Sequence, residues 1–186
     1  MFDRILNRLR MMVGRGETRV VDDSKAVQIV QVFFGPLETR DNTPRVAEYG
    51  FASNPPNGTD CVTLFVAGDR DNGVIIGTNH KASRLKGLQP GEAALFDDQG
   101  RWIWIKRNSI EIEAGNKAVD VKHATTVTVE ATTKVRLVTP LLEVTGDITS
   151  GGTVTATTDV IGGGKSLKTH VHSGVTAGGA NTGQPV

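Results

Sequence analysis

A chain of 186 residues has room for one or two small domains, and with aromatics at only 5% it lacks the payload a single compact globule of that size usually carries. Its 21 Lys and Arg against 20 Asp and Glu leave a formal charge of +1, without the basic excess that a nucleic-acid binder shows. No stretch approaches the ~20 apolar residues of a membrane helix, and one cysteine excludes a disulfide within the chain. The 22 glycines, with abundant Thr and Val, favour short strands and turns over helix bundles.

The chain opens on an amphipathic pattern. Phe2, Ile5, Leu6, Leu9, Met12 and Val13 recur at helical spacing, with Arg4, Arg8 and Arg10 mostly on other faces, and Gly14 and Gly16 supply a stop. Residues 1–18 are therefore expected to be a helix and linker, either packed on their own domain or pegged into a neighbouring protein. The segment is charged throughout and has no signal-peptide apolar core, so the expectation is a protein made in the cytoplasm with no export address.

Residues 19–114 read as a small β-barrel. Val27, Ile29, Val32 and Phe34 begin it, followed by Val46–Phe51 and Cys61–Ala67. Asp69-Arg-Asp-Asn-Gly73 is a turn, Gly73–Thr78 resumes the strand, and Glu92–Asp97 with Arg101–Lys106 flanks a second turn as a hairpin. Five or six strands joined by unequal loops fit an OB-type barrel. Cys61, inside an apolar run, reads as a buried structural thiol.

Residues 115–168 carry strand-sized pieces at six- to nine-residue spacing: Val119 with Val121, Val127 with Val129, Val135 with Leu137, Leu142 with Val144, then Ile148, Val154 and Val160. Each puts apolar residues on one face at period two. Pieces this short do not make a self-sufficient sheet. In one chain the apolar line would face water; three chains wound about a common axis bury it and protect the strand edges together. The expected architecture is all-β: an N-terminal OB-fold barrel, then a C-terminal intertwined trimeric β-helix, with a short N-terminal amphipathic helix.

Residues 169–186 form the tip. His170 and His172 are two apart, so in an extended strand both imidazoles reach one side. Three chains would supply six imidazoles, an octahedral nitrogen cage suited to a first-row metal such as iron, with no open position and hence a structural role. By itself a His-X-His pair is more often solvated surface. His80 and His123 read as ordinary surface or loop residues. Asp147 and Asp159 read as solvated charge, with a calcium (Ca2+) site shared across chains as the less favoured alternative.

Two stretches carry a resemblance to a known family. One runs from Ala67-Gly-Asp-Arg-Asp-Asn-Gly-Val-Ile-Ile-Gly77 through Gly87-Leu-Gln-Pro-Gly-Glu-Ala-Ala-Leu-Phe-Asp-Asp-Gln-Gly100; the other is Ser166-Leu-Lys-Thr-His-Val-His-Ser-Gly174 with the ending Gly178–Val186. The chain resembles the Mu-type baseplate assembly protein V family, the central spikes of contractile phage tails. The resemblance implies a homotrimer, a barrel end seated at the baseplate hub below the tail tube, and one iron ion per trimer held at the apex by His170 and His172. It also implies a virion protein of the tail baseplate, driven through the host outer membrane when the sheath contracts.

Other functions fit less well. Glycoside hydrolysis wants paired carboxylates among sugar-stacking aromatics, and no Phe, Trp or Tyr follows Trp104. Nucleophile-elbow, phosphate-loop and zinc-protease motifs are missing. A non-haem iron oxygenase needs a carboxylate ligand, and none lies close after His172. The chain therefore reads as a mechanical part and not an enzyme, the alternative being a carbohydrate- or receptor-binding tail module using Trp102 and Trp104.

Overall fold

Phe2–Arg10 form helix α1, with Asp3 in its first turn and Arg8 and Arg10 in its last, each charge opposing the helix dipole at its own end. The computed structural model describes residues 2–171, 173, 174 and 178. The chain divides into two units, Met1–Thr125 and Thr126–Val186.

The helix is shorter than its apolar pattern suggests. Met11 N–H donates back to Asn7 O and Arg8 O, both at 3.2 Å, and strand β1 (Val13–Asp22) begins two residues later. Gly14 and Gly16 do not end the helix; they lie inside β1. A Cβ on Gly14 would stand 2.8 Å from the Phe34 ring and 2.9 Å from that of Phe65, and one on Gly16 would stand 2.7 Å from Phe33 O. These glycines let β1 lie against its neighbours, a packing requirement that local pattern does not reveal.

Strands β2 (Gln28–Gly35), β3 (Glu38–Arg45), β4 (Asp60–Phe65) and β5 (Gly73–Asn79) complete a closed five-stranded barrel in the order β1-β2-β3-β5-β4. The long β1 closes it by pairing antiparallel with β4 through Val13–Glu17 and with β2 through Glu17–Asp22, bulging between Thr18 and Val20. On the far side β3 meets β5 in parallel through Arg45 and Ile75. Pro44, which has no N–H to give, sits in the strand beside this short seam.

Alternation fills the interior. Val30 and Val32 from β2, Cys61, Thr63 and Phe65 from β4, and Ile75 from β5 are all buried. Thr18, Thr43 and Thr59 take further inward positions. Thr18 Oγ1 donates to Pro56 O at 3.1 Å and accepts from Thr59 N–H at 3.2 Å, so the buried hydroxyl is satisfied. Threonines in part of the core explain how a barrel forms from so few aromatics. The Cys61 thiol is buried as expected, and burial pushes its pKa up.

Two strand assignments change. Val46–Phe51 is not a strand: Phe51 N–H closes a turn on Glu48 O, and Tyr49 and Phe51 are exposed. The segment Glu38-Thr-Arg-Asp-Asn-Thr-Pro-Arg45 is one, although it has no apolar alternation, because its inward position is taken by Thr43. The hairpin over 92–106 forms as read, but outside the barrel. Its strands β6 (Ala93–Phe96) and β7 (Trp102–Ile105) join β8 (Ile110–Glu113) in a separate antiparallel three-stranded sheet.

In the second unit the described residues pair only as β9 (Ile161–Gly162) with β10 (Lys165–Ser166), an antiparallel hairpin turning at Gly163-Gly164. Between residues 126 and 160 no described residue is paired into a strand within the chain.

Candidate functional site

The end of the second unit is built around Ser166 and Asp159. Ser166 Oγ accepts the N–H groups of Lys168 at 3.1 Å and Thr169 at 2.9 Å, capping one turn of chain, and His170 N–H donates to Ser166 O at 3.0 Å. Asp159 Oδ1 accepts from Val160 N–H at 2.8 Å and Lys168 N–H at 3.2 Å. Its carboxyl is held below the usual range, first by a hydrogen bond from the Ser166 hydroxyl and then by these backbone donors. Asp159 thus fastens the turn to the β9–β10 hairpin.

This turn orients His170. Its Nδ1 lies 3.0 Å from Ser166 O and 3.3 Å from Leu167 O, positions that only a protonated Nδ1 can use, since carbonyls accept. The neutral ring then carries its lone pair on Nε2, the arrangement in which a metal-binding imidazole is set by a backbone carbonyl. His170 therefore fits the chemistry of an imidazole ligand. His172 lies outside the described residues. Among the described residues of this one chain, no three His, Cys, Asp or Glu side chains gather as an ion site. His80 sits in a loop with Nδ1 2.6 Å from Ser83 Oγ, and His123 is exposed at φ 57°.

A second feature escaped the sequence. Asp69–Gly73 reads as a turn, yet Arg70 from it spans one end of the barrel. Its guanidinium lies 3.7 Å from the Phe65 ring centroid and 4.8 Å from that of Phe34. It donates from Nε and Nη2 to the two oxygens of Glu38, at 2.8 and 2.7 Å. Arg40 Nε adds a third bond to Glu38 at 2.9 Å, and Arg40 also pairs with Asp71. The signal was the lone acid Glu38 after a turn, but the 32 residues separating it from Arg70 hide the pair.

Arg70 first, then Arg40, hold the Glu38 carboxyl below its ordinary range. A lowered folded-state pKa contributes stability that is fully present above the unfolded value and is lost as pH falls through the folded one. Glu38→Gln is expected to lower stability at neutral pH by about 1 kcal/mol, the pair being partly exposed. It should also flatten the acid limb of a thermal-midpoint-against-pH curve. An acid limb identical in the two proteins would remove Glu38 from this role.

α1 meets the barrel close by. Gly68, in the 3-10 turn Val66–Gly68, packs against the backbone of Arg8, and Phe65 N–H donates to Met12 O at 2.8 Å. The helix side chains stay exposed, Phe2 at 77% and Leu9 at 58%. The helix is thus packed on its own domain through backbone while its apolar side chains face outward. The period-two residues of the second unit are exposed as well: Val127, Val129, Val135, Leu137, Leu142, Val144, Ile148 and Val154. So are Val119 and Val121 in the first unit.

Comparison with known proteins accounts for both ends of this layout. Residues 15–82 match the family described as bacteriophage Mu Gp45, N-terminal, the segment that builds the barrel. Residues 166–186 match the GpV apex motif, the segment that carries His170 and His172. The chain is 27% identical to the baseplate puncturing device gp45 of Escherichia phage Mu, over 94% of its own length and 89% of that protein. It is 28% identical to the Mu-like prophage FluMu protein gp45 of Haemophilus influenzae, over 88% of its length and 87% of that protein. The resemblance to the central spikes of contractile phage tails is thereby shown, with a Mu Gp45 N-terminal segment near one end of the chain and a GpV apex motif at the other.

Proposed function

We propose that this protein is the homotrimeric central spike of a contractile phage-tail baseplate, a structural part that pierces the host outer membrane when the sheath contracts. One observation carries the reading: a row of exposed apolar side chains from Val119 to Val154 ends at an apex motif, in a chain whose relative is a baseplate puncturing device. The barrel, whose strand order is that of an OB fold, would face the baseplate hub and tail tube. Residues 115–168 of three chains would wind into an intertwined β-helix, apolar rows inward, because a fully buried Val, Leu or Ile side chain contributes roughly 1.5–3 kcal/mol.

At the tip, His170 and His172 of each chain would hold one iron ion on the shared axis. Such an ion ties three chain ends together and opposes their fraying under load. The chain's own part is to aim His170, through the Ser166 cap and the carbonyl bonds to Nδ1, so that Nε2 is the ligand atom. The work of penetration comes from the sheath, so no catalytic group is required. The carbohydrate-binding alternative finds its aromatics engaged: Trp104 Nε1 donates to Glu92 at 3.2 Å, Lys106 Nζ lies 4.5 Å from the Trp104 ring centroid, and Trp102 is half-buried.

Native mass spectrometry of the full chain tests the reading, since it gives oligomer mass and bound metal together. A trimer with one iron is expected. His170→Ala with His172→Ala should lose the iron and keep the trimer. A metal-free monomer from the unaltered chain would overturn the proposal.

A further inference from the structure

α1 joins the barrel through backbone, and its apolar side chains are left without cover. At 3.6 residues per turn, Phe2, Ile5, Leu6 and Leu9 fall within one wedge of roughly 100°. All four are exposed: Phe2 at 77%, Leu9 at 58%, Ile5 at 54% and Leu6 at 36%. The same geometry sets Arg8 and Arg10 at the two margins of the wedge, and Arg4 and Asn7 on the side away from it. Among the described residues none of these arginines is held in an ion pair. The positive charge is local. Three arginines against Asp3 alone give α1 a charge of +2, more than the +1 of the whole chain, so the remainder is slightly acidic.

We infer that α1 is a membrane-surface helix, which lies in the plane of an anionic phospholipid bilayer with its apolar wedge at the acyl boundary and its arginines among the headgroup phosphates. A helix of low net hydrophobicity with Phe and Leu on one side and Arg on the other has the pattern that such a surface holds. The stems of Arg8 and Arg10 can lie along the hydrocarbon while each guanidinium reaches a phosphate. A groove on a protein would cover the wedge equally well, but it asks for no cation at either margin. A sheet of phosphates attracts one at both.

The attachment to the barrel suits this use. Gly68 meets the backbone of Arg8, and Phe65 N–H holds Met12 O, so the C-terminal end of the helix is fixed while the wedge stays outside the barrel. Four side chains bury little hydrocarbon, so the contact is reversible, and salt weakens it by screening the attraction between arginine and phosphate. It requires α1 and no trimer, and so stands apart from the spike reading.

Co-sedimentation of the full chain with large vesicles tests this. Vesicles of phosphatidylcholine with about one-quarter phosphatidylglycerol should pellet the chain, and pure phosphatidylcholine should bind it roughly ten-fold more weakly. Arg4→Gln with Arg10→Gln should bring binding to the mixed vesicles down to the phosphatidylcholine level. Ile5→Gln with Leu9→Gln keeps the charge, changes two exposed positions, and should lose roughly ten-fold on both kinds of vesicle. An unfolding midpoint shared with the unaltered chain is expected of both variants, since neither pair of side chains is buried. Failure of the unaltered chain to pellet with the mixed vesicles would overturn the inference and leave the wedge to a protein partner. Pelleting that survives both pairs of substitutions would put the lipid contact elsewhere on the chain and overturn it as well.

Discussion

Val127→Asp combined with Leu137→Asp is expected to abolish the proposed trimer. In the single chain both side chains are exposed, at 65% and 64%, so the substitutions disturb nothing that one chain makes by itself. In three chains wound with their apolar rows inward, they would bring six carboxylates close to one axis. Burying each unpaired charge costs several kcal/mol, and like charges around the axis add to it. Thr128→Asp is the contrasting change: Thr128 lies between Val127 and Val129, and alternation turns it to the opposite side. Sedimentation should show monomers for the double variant and trimers for Thr128→Asp. A double variant that stays trimeric would mean that these rows do not face the axis.

Gly68→Val should be the most damaging single change in the barrel unit. Gly68 has φ 73°, a conformation costing a β-branched residue about 1–3 kcal/mol, and a Cβ there would lie 2.4 Å from the carbonyl oxygen of Arg8. The obstacle is backbone, so no side-chain rotation relieves it. α1 must move, and the bond from Phe65 N–H to Met12 O is placed at risk with it. A total loss of about 3 kcal/mol or more is expected, read as a lower unfolding midpoint at fixed scan rate. Two glycines calibrate the effect. Gly100, at φ 78° with nothing near its Cβ position, isolates the backbone term; Gly77, at an ordinary φ with open space, isolates neither and should accept alanine without loss. Equal midpoints for Gly68→Val and Gly77→Ala would refute the helix-docking role of Gly68.

Several features were legible in the sequence because they depend on near neighbours. Helical spacing from Phe2 to Leu9 gave α1, alternation gave β2, β4 and β5, and the Asp97–Gly100 turn gave the β6–β7 hairpin. The His170–Val171–His172 spacing marked the tip as chemically distinct, and the resemblance over residues 67–100 and 166–186 pointed to the family. The structure adds an orientation for His170, because Ser166 and its carbonyl act only once the turn has formed.

What tertiary structure alone decided concerns groups far apart in the chain. Gly14 and Gly16 looked like a helix stop, but the rings of Phe34 and Phe65, brought close by the folded barrel, explain them as close-packing positions. The polar strand Glu38–Arg45 carries no apolar alternation; pairing with β2 on one side and β5 on the other makes it a strand. The Glu38–Arg70 pair joins residues 32 apart, and nothing local predicts it. Period-two patterning states which residues seek burial, since alternation is fixed by backbone geometry. Which surface buries them depends on non-local contacts, and that is where the barrel parted from the hairpin after it.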